Sequence, residues 1–140
     1  MDKKISTFLK TNKLFSFCTT TENEPYCASC FYAFADEGDY LVFKSSKETK
    51  HITDALLNPN CAGTITPDID KVATIKGIQF TGTFLQPQDD LLDNLKKVYY
   101  KKFPFALTMP GDVWAVQLNK IKMTDNTLGF GKKLHWERGK

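Results

Sequence analysis

Arginine is nearly missing from this 140-residue chain: of 19 basic residues only Arg138 is an arginine, and the rest are lysines. Sequence-specific readers of nucleic acid use guanidinium groups for bidentate contacts with base edges, which a lysine ammonium cannot make, so that class of partner is disfavoured. The amino-terminal segment MDKKISTFLKTNKLF has no apolar run of signal-peptide length and is broken by Lys10 and Lys13, and no other stretch approaches a membrane span. A cytoplasmic protein without membrane attachment is expected. Histidine occurs only at 51 and 135, and neither lies at motif spacing from a Ser or Cys and a carboxylate, so hydrolase chemistry has little support. The four cysteines, Cys18, Cys27, Cys30 and Cys61, lack the second close pair that zinc would want, and without an export signal they read as buried, reduced thiols. Cys27-Ala-Ser-Cys30 has redox-motif spacing, but on a strand positions i and i+3 point to opposite faces and the sulfurs diverge.

Apolar and aromatic side chains are plentiful, at 41% and 13%, which excludes a disordered, collagenous or coiled-coil chain. A single domain over residues 1–140 buries roughly two thirds of its unfolded surface and needs neither disulfide nor metal. The formal charge of +3 is mild, yet uneven: the last forty residues carry +5 and the first hundred −2. A local anion site fits this better than a basic surface.

Ile5, Phe8 and Leu9 are spaced as one face of a short helix, and the run from Leu14 reads as a strand. A turn at Glu22–Pro25, a strand over Tyr26–Phe34, a turn at Ala35–Asp39 and a strand over Tyr40–Lys44 complete a meander. Ser45 and Ser46 offer N-caps to a helix over Glu48–Leu57, with Ile52, Leu56 and Ala55 inward, stopped by Asn58-Pro59. Cys61–Thr66 and Val72–Leu85 read as strands about a turn at Pro67–Asp70, with Gly77 and Gly82 as bends or bulges. Pro87–Asp90 opens a second helix carrying Leu91, Leu92, Leu95, Val98 and Tyr99, and Phe103-Pro104 ends it. Val113–Leu118, Ile121–Thr124 and Leu134–Glu137 are the last strands. Six or seven short strands with hairpin-length connections and two or three short helices predict a mainly β (α+β) domain built on a small antiparallel barrel.

The segment from Phe43 through Lys44, Ser45, Thr49 and Lys50 to His51 hands a strand over to a helix N terminus rich in hydroxyls and cations. Free N–H groups and the helix dipole there favour an anion. A Thr hydroxyl, a Lys charge and a His N–H suit a terminal phosphate, while an ordinary capped surface helix is the plain alternative. The tail from Thr124 to Arg138 sets Phe130 and Trp136 among cations, which suits a planar anionic ligand as well as a hairpin with a solvated basic end. Asp89 and Asp90 are explained by the helix dipole, and Gly129-Phe-Gly131 lacks the context of a dinucleotide loop.

The order of helix, three-strand meander, hydroxyl and cation cluster with Asn58-Pro59, and long strand ending in Gly82 resembles the FMN-binding split barrels related to pyridoxamine 5′-phosphate oxidase. More narrowly, Gly77-Ile-Gln-Phe-Thr-Gly82, Lys102-Phe-Pro104, the run Ile121–Lys133 and Trp136 resemble the YhbP family within that superfamily. The resemblance implies a split β-barrel and an FMN held at a homodimer interface. It places the phosphate at Thr49, Lys50 and His51, the ring along Phe43, Lys44 and Ser45 with Ala28–Tyr32 behind it, and Trp136 with Lys133 or Arg138 arriving from the partner subunit. Two departures argue against vitamin B6 oxidation: Lys76-Gly77 replaces an Arg-Gln pair, and Lys133-Leu-His-Trp-Glu-Arg138 replaces an Arg-Leu-His-x-Arg element that grips substrate phosphate. The expected activity is therefore that of an FMN flavoprotein, an oxidoreductase acting on a small-molecule redox substrate or taking electrons from a reduced nicotinamide. The alternatives are a non-enzymatic carrier or sensor of flavin, haem or another planar anion, and a single-strand-binding barrel of OB type.

Overall fold

The first helix, α1 (Lys3–Thr11), is capped by Asp2, whose carboxylate accepts from the Lys4 amide at 2.7 Å, and it buries Ile5, Phe8 and Leu9 on one face. The computed structural model describes residues 1–140 throughout. β1 (Leu14–Thr21) and β2 (Glu24–Ala35) form a hairpin whose turn is only Glu22 and Asn23, both at positive φ. Two left-handed residues give the turn whose twist matches the flanking strands, so Glu24 and Pro25, expected in the turn, already belong to β2. Pro25 stands opposite Thr20. With Thr21 and Glu24 as the hydrogen-bonded pair that closes the turn, the Thr20–Pro25 pair needs no ladder N–H, which is why a proline is tolerated there.

β3 (Tyr40–Ser45), α2 (Lys50–Leu57), β4 (Asn60–Ile65), β5 (Lys76–Leu85), α3 (Asp89–Lys102), β6 (Asp112–Asp125) and β7 (Lys133–Glu137) follow. All pairings are antiparallel, in the order β3-β2-β1-β4-β5-β6-β7, and β3 also pairs with β6 to close the barrel. The seven strands and three helices are those of a split β-barrel. No helix is long and apolar enough to cross a membrane.

Several local expectations shift. The two strands foreseen over 113–118 and 121–124 are one, because Asn119 is accommodated as a bulge where the register steps between Thr81 and Gly82. β5 starts at Lys76, four residues late, after a 3-10 turn over Val72–Thr74. Thr49, not Ser45 or Ser46, is the N-cap of α2. Leu56 is exposed, because Asp54 takes the inward position as acceptor for Lys50 and Thr21. Cys30 and Cys61 are buried as expected, whereas Cys18 is half-buried and Cys27 exposed.

Two cores result. Inside the barrel Phe15, Phe17, Phe43, Phe80, Phe84 and Trp114 interlock with α1 and with Ile52 and Ala55 of α2, and Phe84 stacks on Trp114 with centroids 5.5 Å apart. On the outer face of β2, β3 and β6 the small side chains Ala33, Ala35 and Ala115 let α3 approach with Leu95, Tyr99 and Phe103. Gly63 is required by close approach: a Cβ there would lie 2.0 Å from the Ser16 carbonyl oxygen and 2.5 Å from the Phe80 ring. Gly63→Ala is therefore expected to destabilise the protein by about 3 kcal/mol or more in urea unfolding. Gly77→Ala, whose nearest neighbour is the Thr66 hydroxyl at 3.1 Å, is expected to cost much less.

Candidate functional site

β2 pairs with β3 only from Tyr32 onward, opposite Phe43, while Lys44 and Ser45 continue along β6 opposite Val113 and Asp112. The β2 edge from Glu24 to Phe31 is thus free on that side, and the chain after Ser45 swings into α2 beside this parting. Lys50, first residue of α2, holds its ammonium 5.2 Å from the Tyr26 ring, tying the helix N terminus to the start of β2.

The helix N terminus is open. Thr49 makes no side-chain cap; its hydroxyl donates instead to the Ser46 carbonyl at 2.8 Å. The first-turn amides of α2 therefore lack the usual side-chain acceptor, and their partial positive charge faces outward. Ser45 Oγ lies 2.6 Å and Thr49 Oγ1 3.3 Å from His51 Nε2, so two hydroxyls and one imidazole converge on the same turn. Lys50 adds a full charge, half-exposed, with Asp54 3.0 Å away. The hydrogen bond that Lys50 donates to Asp54 raises the Lys50 pKa and keeps it protonated. Burial lowers the His51 pKa, partly offset by the Asp54 charge, so the imidazole is neutral at pH 7 and shares a hydrogen with Ser45. Trp114 fixes the strand end by donating its indole N–H to the Ser45 carbonyl at 2.8 Å.

Ser45, Thr49, Lys50 and His51 are thus brought together. Phe43 and Lys44 are not available as lining side chains. Phe43 is fully buried against Phe15 and Phe17. Lys44 donates to the carbonyls of Ala106 and Met109 at 2.7 and 2.6 Å, pinning the turn after α3. A strand directs alternate side chains into the core, and a lysine within reach of turn carbonyls donates to them; neither outcome is visible in local spacing.

The tail residues stand elsewhere in the same chain. Arg138 donates to the carbonyls of Leu118 and Gly38, faces Asp39 at 3.5 Å and lies over the Trp136 ring at 5.6 Å. Asp39 precedes the start of β3, whereas Ser45 ends it, about 20 Å away at the rise of a strand. Lys133, at the other end of β7 opposite Thr124, is exposed and makes no ion pair. Half-buried Trp136 lines an open groove of about 590 Å³ with His135, Lys120 and Lys122. The contribution of Tyr26, Asp54 and Trp114 was not foreseen. Tyr26 and Trp114 reach the site from β2 and β6, where only strand alternation could have hinted at them, while Asp54 lies one turn after Lys50 on α2 and helical spacing was its signal.

Several solved structures share this architecture. A haem-binding protein from Mycobacterium smegmatis superposes with a TM-score of 0.75 at 16% identity over 91% of this chain, which spans 53% of that protein. An FAD-binding protein from Mesorhizobium loti gives 0.70 at 14% identity, over 88% of this chain and 94% of its own. A candidate pyridoxamine 5′-phosphate oxidase from Listeria innocua gives 0.69 at 13% identity, over 86% and 94%. The parted barrel is that of the pyridoxamine 5′-phosphate oxidase-like split barrels. No protein-family model matches the chain. A UPF0306 protein of Photorhabdus laumondii subsp. laumondii is 37% identical over 134 residues, covering 96% of this chain and 94% of the relative. The chain belongs to the UPF0306 family.

The depressed His51 pKa sets a stability signature. The unfolded chain takes up a proton near the ordinary imidazole value while the folded chain does not, so stability is full above about pH 6.5 and falls as pH drops below it. Urea unfolding at pH 7.5 and 5.5 is expected to show this loss, and His51→Gln to flatten it.

Proposed function

We propose that the chain binds FMN, with the terminal phosphate at the first turn of α2 and the ring in the parting between β2 and β3. The open N terminus of α2, with Ser45, Thr49, Lys50 and His51 around it, is the observation that carries this reading. Free amides, hydroxyl donors and a lysine charge are what a dianionic phosphate needs, and the site offers them without rearrangement of the strands. Phe43 and Lys44 take part through their positions in β3 rather than through their side chains. The narrower likeness to the YhbP family, stated on the sequence motifs, belongs to the same proposal, as does work in the cytoplasm.

FMN, when bound, supplies reversible electron transfer, and the chain's own residues bind and orient it. His51 holds a hydrogen bond with Ser45 and, with it, lines the proposed phosphate position. Lys133, Trp136 and Arg138 lie too far from this turn in their own chain, so they meet the ligand only from a second copy. A homodimer with FMN at its interface is part of the same proposal, and that separation within one chain is what supports it. Oxidoreductase activity toward a small-molecule substrate, with a reduced nicotinamide as donor, is the accompanying proposal.

A second reading, a carrier or sensor of haem or another planar anion, is favoured by the haem-binding protein of the same fold and by His135 beside Trp136 in the open groove. Absorbance titration separates the two: a perturbed flavin spectrum supports the first, and a Soret band with haem, without flavin binding, supports the second. Lys50→Ala is expected to weaken FMN binding about tenfold, or about 1.4 kcal/mol, with an unchanged circular dichroism spectrum. Unchanged affinity moves the phosphate away from α2.

A further inference from the structure

On the outer face of the β1–β2 hairpin, Cys18 and Cys27 stand directly opposite each other, and their sulfurs are 2.9 Å apart, inside the ordinary contact distance of two unbonded sulfurs. Their place in the ladder explains the approach. Hydrogen-bonded pairs alternate with non-hydrogen-bonded ones away from the closing pair Thr21–Glu24, so Thr19–Tyr26 is bonded and Cys18–Cys27 is not. Residues in a non-hydrogen-bonded pair have the closer Cα atoms, about 4.5 Å apart, which lies within the span a disulfide bridges. The lone proline of the hairpin agrees with this phase, since Pro25 falls on a position that donates no ladder hydrogen bond. Cys30 and Cys61, both buried in the barrel core, are on the opposite face and are not partners.

We propose that Cys18 and Cys27 form a reversible disulfide, a redox-controlled staple across β1 and β2. Cys27 is exposed and Cys18 half-buried, so a small-molecule disulfide such as oxidised glutathione reaches Cys27 first. The Cys27 thiolate attacks one sulfur of that disulfide, forming a mixed disulfide and expelling one glutathione thiolate. Cys18, having given up its proton, then attacks the Cys27 sulfur and expels the second glutathione. The two protein thiols lose two electrons and two protons, and one oxidised glutathione becomes two reduced ones. Burial and the neighbouring Cys27 sulfur push the Cys18 thiol up to about 11, which makes Cys27 the attacking group and Cys18 the resolving one. The staple lies next to Tyr26, whose ring carries Lys50, and so joins the hairpin at the point where α2 leans on it. It stands on the cysteine geometry alone and is independent of any bound flavin.

The test is to incubate the full-length protein with oxidised glutathione, then count thiols under denaturing conditions and map the digest without reductant by mass spectrometry. Expected are a fall from four titratable thiols to two, an intact mass lower by two hydrogens, a peptide joining Cys18 to Cys27, and reversal by dithiothreitol. Cys18→Ser is expected to stop at a glutathione adduct on Cys27. Four thiols remaining, a bond that includes Cys30 or Cys61, or a wild-type protein that keeps glutathione on Cys27 would overturn the proposal, and the wild-type measurement decides it whether or not the variant folds.

Discussion

β6 is hydrogen-bonded along both edges, and closure of the barrel depends on that ladder. One edge carries β5 over its whole length; the other carries β3 on its first half and β7 on its second. A strand of fourteen residues that serves three partners can twist enough to close a barrel only if its register is relieved midway, and the Asn119 bulge opposite Thr81 and Gly82 does this. The same bulge region turns the Asn119 carbonyl toward the Arg138 amide and leaves the Leu118 carbonyl to the Arg138 guanidinium, so the only arginine is used to fasten the chain's end.

Tyr40–Phe43 of β3 pair with β2 on one edge and β6 on the other, whereas Lys44 and Ser45 pair with β6 alone. The space left beside them holds α2 and its open N terminus, so the proposed anion site lies where the β2–β3 ladder ends. Packing of α3 over Ala33, Ala35 and Ala115 stiffens the other flank, and Lys44 spends its charge on the carbonyls that end the turn after α3. Lys102 does similar work: its ammonium, held at the Asn12 carbonyl and 4.8 Å from the Tyr32 ring, has its pKa lowered to about 8 by burial first and by Lys13 second. Lys44, Lys102 and Arg138 thus serve backbone carbonyls, beside exposed ion pairs such as Lys10–Asp36, which are worth little.

Much of the architecture is legible in the sequence. The helical spacing of Ile5, Phe8 and Leu9, the Asn58-Pro59 stop and the glycine at the bulge each act within a few residues, and each places its element correctly. Boundaries drift where a distant partner outweighs local preference. Val72–Thr74 is β-branched and strand-like in composition, yet it turns in a 3-10 helix because no partner strand reaches it. Leu56 is apolar at the right period but loses the inward position to Asp54, since that carboxylate gains both Lys50 and Thr21. In the candidate site, Thr49, Lys50 and His51 are consecutive and Asp54 follows one helical turn later, so these are readable together, whereas Tyr26 and Trp114 enter from strands brought close only by pairing.

Periodicity, turn chemistry and composition by themselves determined a mainly antiparallel barrel with short helices and a hydroxyl and cation cluster at one strand-to-helix junction. These depend on interactions between near neighbours, which the order of residues states directly. Tertiary structure alone decided that Phe43 and Lys44 face away from that junction, that Arg138 is engaged by Leu118 and Asp39, and that Cys18 meets Cys27 rather than Cys27 meeting Cys30. Each of these depends on which strand lies opposite which and in what phase, and the phase of a ladder is set by where its turn closes.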